Sequence, residues 1–266
     1  MHPIEQLRYV ARASGADGGL LVQEAASALS VFSRDPGAML TACRRLLTRQ
    51  PAVGPLWWMS ARMVTCADAR TEARAIIEDL HEDRTGRELA HGLPDGATVA
   101  IAGWPDITVS ALPRRGDIRV LVVDVEGQGS SVVRRLERQD MDVEDVDAAH
   151  LAGIVEESDL IIIEAAAAGS AAALVDLGSV ALAATAKALR KPVWLVVGVG
   201  RSLPEQYWQA IVERVDEPDI PAFLAPHEVL SFGLVDRIMT SAGAISPNAV
   251  PEPQMPWAPE LLVELS

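Results

Sequence analysis

Acidic side chains stand at or beyond the ends of several apolar runs and are the first candidates for chemistry. Asp106, Asp124 and Glu164 are each placed to act as a general base. With Glu126 and Asp176 they would repel a phosphorylated ligand unless a metal or an arginine compensated, so a cationic or amine-bearing ligand or a divalent ion fits better. The alternative is that these acids cap helices or face solvent. If Glu164 is buried, desolvation raises its pKa and makes it a candidate acid or base.

Two further segments could bind an anion. Gly127-Gln128-Gly129-Ser130-Ser131 follows the run 121–125 and opens a predicted helix, so its amides could hold a phosphate. It lacks the third glycine of a dinucleotide-binding loop, where Val132 stands, and could equally be a tight connection. Arg201 follows another apolar run and could meet a phosphate or carboxylate, or simply be an exposed turn residue.

Composition narrows the class of protein. The formal net charge of -14 argues against nucleic-acid binding, which requires a basic face. The five histidines show no metal-ligand spacing, and Cys43 and Cys66 are expected to be reduced structural thiols, so we predict no metal and no cofactor. No stretch approaches the roughly 20 apolar residues of a membrane span, so we expect a cytoplasmic protein without a membrane partner.

The elements that would position these residues are typical of a parallel α/β sheet. The apolar runs 161–163 and 193–197 bracket a predicted helix over 177–189, as two buried parallel strands require. Ligands of such sheets bind beyond the carboxyl ends of the strands, so we place the site in the loops that begin at Glu164 and Gly198. Other strands are predicted over 98–102, 118–125, 143–146 and, near the outer edge, 235–239, with helices over 129–139, 148–156 and 207–215.

The first third of the chain has helical periodicity instead. Residues 4–89 predict four or five helices, with Asp35 as an N-cap and a long solvated helix over 68–89. The turn at 94–96 marks a boundary, and four prolines near the end predict an extended arm. We therefore predict an N-terminal helical domain over 1–93, a Rossmann-like α/β domain with a mostly parallel sheet over 94–250, and a Pro-rich C-terminal tail over 251–266.

Three segments carry a family pattern: Gln50-Pro51-Ala52-Val53-Gly54-Pro55-Leu56, the block 158–197, and the segment 234–243 that ends in Thr-Ser-Ala-Gly. They resemble the family of the alpha, beta and delta subunits of translation initiation factor 2B, methylthioribose-1-phosphate isomerase and ribose-1,5-bisphosphate isomerase. The first is similar to that family's Arg-Pro-Thr-Ala-Val motif. Leu177-Gly178-Ser179 stands at the family's Ile-Gly-Thr, after its Gly-Ala-Asp and Asn-Lys motifs.

The resemblance implies a homodimer through the C-terminal domain and a phosphorylated small-molecule ligand. With the glycine loop and Arg201 named above, the Ile-Gly-Thr position completes the predicted ligand-binding residues: Gly127, Gly129, Ser130, Gly178, Ser179 and Arg201. In the isomerases of this family a Cys in the first strand-end loop and the Asp of Gly-Ala-Asp transfer protons, and an Arg and the Asn-Lys pair hold the sugar phosphate. Here the first loop reads Ala102-Gly103-Trp104-Pro105-Asp106, Gly-Ala-Asp falls at Glu164-Ala165-Ala166, and Asn-Lys falls at Val175-Asp176.

These departures decide the functional prediction. Aldose–ketose isomerisation needs a base and an acid, and alanine supplies neither. We predict a divergent protein of this group without the isomerase chemistry, acting as a dimeric ligand-binding or scaffold protein. The alternative is a sugar-phosphate or nucleotide-phosphate isomerase that uses Asp106, Asp124 or Glu164 as base, with Arg201 and the Gly127 loop on phosphate. A third reading is a subunit of a larger complex that makes contacts through its acidic surface and tail.

Overall fold

Five helices form the first part of the described chain. The computed structural model describes residues 18–125, 127, 129–216, 220–221 and 224–263. The helices are α1 (Gly18–Leu29), α2 (Pro36–Arg49), α3 (Gly54–Thr65), α4 (Ala69–His81) and α5 (Thr85–Gly92). None of the described helices is long and apolar enough to cross a membrane.

Aspartate side chains determine where two of these helices begin. The Asp35 carboxylate accepts the N–H of Ala38 at the start of α2, as predicted. The prediction of one helix over 68–89 is wrong, because the chain breaks between α4 and α5. There Asp83 Oδ1 accepts both the N–H and the hydroxyl of Thr85, and its Oδ2 accepts the N–H of Val199. These bonds compete with helix continuation and tie the break to the following domain.

The α/β part of the described chain is built on nine strands. Strands β1 to β4 are Thr98–Ala102, Arg119–Asp124, Asp142–Asp147 and Leu160–Ala168, and β5 to β9 are Ala172–Asp176, Val193–Val196, His227–Ser231, Arg237–Thr240 and Gly243–Ile245. The main sheet has the order β3-β2-β1-β4-β6-β8-β9 and is parallel from β3 to β8, with β9 antiparallel to β8. The α-helices are α6 (Asp106–Ala111), α7 (Gly129–Glu137), α8 (Leu151–Glu157), α9 (Ser179–Ala188) and α10 (Glu205–Val215), and single 3-10 turns cover Ser30–Phe32, Leu112–Arg114, Ala148–His150, Phe232–Leu234, Pro247–Ala249 and Pro259–Leu262. The predicted fold class is confirmed.

A second, antiparallel layer replaces the loop predicted to begin at Glu164. Strand β4 continues to Ala168, turns at Gly169, and pairs antiparallel with β5, which pairs antiparallel with β7. Glycines beside β4 permit close packing here: a Cβ on Gly169 would lie 2.6 Å from the Trp208 ring, and one on Gly54 would lie 2.8 Å from the Ala166 carbonyl oxygen. The extension of β4 brings the hairpin against α3 and α10.

The Pro-rich tail packs on the chain's own helices. Ala258 and Leu261 are fully buried in the same core as Trp57. The Tyr207 hydroxyl donates to the Pro256 carbonyl at 3.0 Å and accepts the Ala258 N–H at 2.7 Å. Arg44 and Arg214 donate to main-chain carbonyls between residues 260 and 262. The helical core therefore includes α10 and the tail, both outside the predicted domain 1–93.

Candidate functional site

Three buried charged residues meet at the carboxyl ends of adjacent parallel strands. Asp106 begins α6 just after β1, Glu164 lies in β4, and Arg201 follows β6. The Arg201 guanidinium lies 2.5 Å from Asp106 Oδ1 and 3.0 Å from Glu164 Oε1, and the three side chains are 9%, 8% and 4% exposed. Arg201 also donates to the Ala165 carbonyl at 2.6 Å. The strand ends place each residue at this edge, but no sequence pattern predicts that the arginine pairs with both acids.

The start of α6 holds the Glu164 carboxyl group. Glu164 Oε2 accepts the N–H and the hydroxyl of Thr108 at 2.8 and 2.9 Å, and Oε1 accepts the N–H of Ile107 at 3.1 Å. Burial raises the pKa of Glu164 well above its ordinary value, as does the charge of Asp106, while Arg201 and the Thr108 amide offset part of that rise. The trio therefore carries one proton at a pH where an exposed glutamate has lost its own. Glu164 is a buried carboxylic acid able to give or take a proton.

A cavity of about 200 Å³ lies beside this trio, between the helical and α/β parts. Asp176 and His227 line it from the antiparallel layer, and their Oδ1 and Nδ1 atoms are 3.7 Å apart. Asp176 Oδ2 accepts the N–H of Trp104, another wall residue, at 2.9 Å. Gly103 makes this possible, because it has φ of +70° and its Cβ would lie 2.1 Å from Asp176 Oδ2.

Two cavity residues stand at positions singled out by the family resemblance. Gln50 lines the cavity where the Arg-Pro motif has its arginine, and Ala166 lines it where Gly-Ala-Asp has its aspartate. The ionisable residues that line it are the acids Asp106, Glu164 and Asp176 with Arg201 and His227. Because Arg201 is already bound to two of these acids, the cavity is a poor receptor for a doubly negative phosphate.

A larger, open cleft of about 1150 Å³ adjoins the cavity. The two spaces share Pro55, Asp106 and Arg201 as common wall residues. Helices α1, α4, α5 and α6 line the cleft, which gives the Arg201 trio one face toward the small cavity and another toward the outside.

The glycine loop after β2 is surrounded by carboxylates. Asp124 Oδ1 accepts the N–H of Gly127 at 2.7 Å, and a Cβ on Gly129 would lie 2.5 Å from Asp145 Oδ1 and 2.9 Å from the Asp124 Cβ. Burial and the charge of Asp124 raise the pKa of Asp145. An anion at this helix start, beside Ser130, would meet two acids. The described cavity-lining residues include none of Asp124, Gly127, Gly129 or Ser130, and Glu126 lies outside the described residues.

The start of α9 is capped by a side chain of the protein itself. Gly178 has φ of +87° and precedes the helix, and Ser179 is buried. Glu228 of β7 accepts the N–H of Val180 at 2.8 Å, so a carboxylate already occupies the position expected of a ligand anion. Gly178 and Ser179 are not among the described cavity-lining residues. Of the six predicted ligand-binding residues, Arg201 is the one that the structure brings to the cavity.

Residues of the cavity were partly visible in the sequence. Asp176 stands at the family's Asn-Lys position, but the sequence does not place His227 beside it, because nothing in the sequence predicts that β7 pairs with β5. No group of three or more His, Cys, Asp or Glu among the described residues is arranged to hold a metal ion.

Solved structures share this architecture. No family model matches the sequence, and no curated protein matches it at a significant level. The translation initiation factor eIF-2B of Pyrococcus horikoshii OT3 superposes with a TM-score of 0.78 over 92% of this chain and 97% of that chain, at 14% identity. The eIF2B beta of Chaetomium thermophilum gives 0.67 over 92% and 86% at 15% identity, and the 5-methylthioribose 1-phosphate isomerase of P. horikoshii gives 0.66 over 92% and 85% at 15% identity. The resemblance seen in the sequence is therefore confirmed as a shared fold, that of the initiation factor 2B subunits and methylthioribose-1-phosphate isomerase.

Proposed function

We propose that this protein binds a small polar molecule, neutral or positively charged, in the cavity of about 200 Å³, and that it has lost the proton-transfer set of the related isomerases. The observation that carries the proposal is the charge of the cavity wall. Asp176 faces a space whose arginine is held by Asp106 and Glu164. An amine or hydroxyl group finds acceptors here, whereas a phosphate must break the Arg201 ion pairs.

Ligand charge is the variable that the first experiment should change. Glucosamine, glucose and glucose 6-phosphate share one skeleton and carry a positive, zero and negative charge. Thermal unfolding of the full chain with each compound is expected to show the largest upward shift with glucosamine and the smallest with the phosphate. A ligand at 100 times its Kd adds about 2.7 kcal/mol to the free energy of unfolding, which is readily measured.

Matched variants separate the cavity from general charge effects. Asp176→Asn removes one wall charge but keeps an oxygen that can accept the Trp104 N–H, and it should reduce the glucosamine shift. Glu213→Gln makes the same chemical change at an exposed position on α10 and should leave the shift unchanged. A largest shift with glucose 6-phosphate, or equal loss in both variants, would contradict the proposal.

A second candidate, an isomerase with a different residue set, is favoured by Glu164. A carboxylic acid with a raised pKa beside a cavity is what general acid–base catalysis requires, and the Asp176–His227 pair could serve as its partner. Incubation with sugar phosphates and nucleotide phosphates in deuterated water, followed by NMR, tests this. Exchange of a carbon-bound hydrogen that disappears in Glu164→Gln would support the isomerase and displace the first proposal.

We also propose that the protein forms a homodimer through its α/β domain. Strand β7 pairs only with β5 among the described strands, and its Val229 is 49% exposed, with Leu224 nearby in sequence at 62%. One structural relative is a tetrameric eIF2B-beta2-delta2 complex from C. thermophilum. Light scattering should find a dimer that Val229→Lys weakens at least tenfold, while Val31→Lys, at an equally exposed valine of the helical domain, should not. A monomer at all concentrations would refute this.

A further inference from the structure

A small cluster of positive charge lies at one place on the sheet of this acidic chain. The chain has only two lysines, Lys187 and Lys191, and both lie where α9 ends and β6 begins. Arg190 lies between them, and Arg237 begins the neighbouring strand β8. These four residues line one open depression of about 540 Å³, which we call the basic groove. It lies at the amino ends of β6 and β8, the edge of the sheet opposite to the cavity.

One acid faces the four cations of the basic groove. Asp236 accepts the N–H of Val193 with Oδ2 at 2.9 Å and lies 3.6 Å from Lys187 Nζ through Oδ1. The groove therefore has a net charge of about +3 by formal counting, on a protein of net charge -14. Such a local reversal of sign attracts an acidic group that the remaining surface repels.

Neighbouring residues of the groove fix the positions of two of these arginines. Pro192 and Trp194 form the apolar base, and the Arg237 guanidinium lies 5.4 Å from the Trp194 ring centroid. Arg190 has φ of +58°, at the position after a helix where glycine is the usual residue. Its N–H bonds the Lys187 carbonyl and the next N–H bonds the Ala186 carbonyl, so the turn is fixed and carries an arginine despite the less favourable backbone.

We propose that the basic groove docks a carboxylate-rich segment of a partner protein. The groove is open, as an extended peptide requires, and its lining residues Pro192 and Trp194 can contact the aliphatic parts of Glu side chains. A long nucleic acid is disfavoured because its phosphates would run beyond four cations onto an acidic surface. The inference is independent of the cavity, which lies at the other edge of the sheet.

The test uses the full chain and a fluorescent peptide of eight glutamates, with a peptide of eight glutamines as its neutral match. Fluorescence anisotropy at 50 mM NaCl should detect binding of the acidic peptide only. Raising the salt to 300 mM should weaken it at least tenfold, because the Debye length falls from about 14 Å to about 6 Å.

Charge-reversal variants locate the binding. Lys187→Glu with Lys191→Glu should weaken the peptide at least tenfold, whereas Arg134→Glu with Arg138→Glu, the same change of charge on exposed residues of and after α7, should weaken it less than threefold. Lys187→Gln with Lys191→Gln gives a milder test if the reversal impairs folding. No binding by the wild type, equal loss in the two charge-reversed proteins, or displacement of the peptide by stoichiometric inorganic pyrophosphate would overturn the proposal, the last in favour of a small-anion site.

Discussion

Replacing Arg201 by methionine tests whether the buried trio is held together by charge. The substitution keeps an unbranched apolar chain but removes a guanidinium that contacts Asp106, Glu164 and the Ala165 carbonyl. Since all three side chains are less than a tenth exposed, solvent cannot replace the lost cation. Breaking one partner out of a buried ion pair typically costs 3–5 kcal/mol, and we expect about that loss in the free energy of unfolding at pH 7.5.

The loss should depend on pH in a defined direction. The pKa of Glu164 in the folded protein is raised above its ordinary value of 4.5, so ionising it opposes folding. Stability therefore falls as the pH rises from about 4.5 toward the folded-state pKa. Without Arg201 the pKa of Glu164 rises further, because only the hydrogen bonds from α6 then offset burial and the charge of Asp106, and the fall in stability continues to higher pH. Urea unfolding from pH 5 to pH 8 should show the deficit of Arg201→Met growing with pH.

Two comparisons make the result decisive. Arg119 contacts Glu144 at 2.8 Å and Glu157 at 3.6 Å but is 39% exposed, so Arg119→Met should cost about 1 kcal/mol or less. Adding Glu164→Gln to Arg201→Met removes one buried charge and should recover part of the loss. If Arg201→Met costs no more than Arg119→Met, or if its cost does not vary with pH, the electrostatic account of the site is wrong.

Three further substitutions probe the site and its support. Glu164→Gln alone should flatten the stability profile between pH 5 and pH 8, since it removes the group whose raised pKa creates the slope; an unchanged profile in urea unfolding would place that slope elsewhere. Tyr207→Phe leaves a buried amide of the tail without its acceptor and should cost about 1–3 kcal/mol, with earlier cleavage of the tail in limited proteolysis. Gly103→Ala should cost clearly more than Gly96→Ala in thermal unfolding, because both residues have positive φ but only Gly103 has its Cβ direction blocked, by Asp176. Equal losses of stability in the two variants would show that the Asp176 side chain moves away from the added methyl group without a loss of stability.

The centre of the parallel sheet was predictable because the strands there are apolar on both faces. The run 161–163 and the run around Val193 are fully buried, and helical periodicity located the intervening helix to within two residues at each end. The antiparallel layer was not predictable, because the four alanines 165–168 have weak strand preference and favour a helix in isolation. Pairing with β5 decides their conformation, and no local signal reports that pairing.

For the candidate site, the placement of the residues was predictable from the sequence but their contacts were not. Ligands of parallel sheets bind beyond the carboxyl ends of the strands. This rule places Asp106, Glu164 and Arg201 at one edge of the sheet, and it requires only the strand boundaries. Their mutual ion pairs depend on β1, β4 and β6 being neighbours, which the order of strands in the sheet determines. The glycine loop after β2 illustrates the same limit. Its sequence predicts free amides, but the acid beside Gly129 is Asp145 of β3, a separate segment that the loop sequence does not reveal.

The Arg201 trio also bears on how such a site can change while the fold persists. The sheet is stabilised by its apolar interior, so cavity residues such as Gln50 and Ala166 can differ from the family motif at little cost to folding. The trio is less free, because losing Arg201 leaves two buried acids without their cation. Replacement of Asp106, Glu164 and Arg201 by neutral residues together should therefore cost less than replacement of Arg201 alone. That ordering would follow from buried ion pairing and not from packing, which the triple change disturbs more.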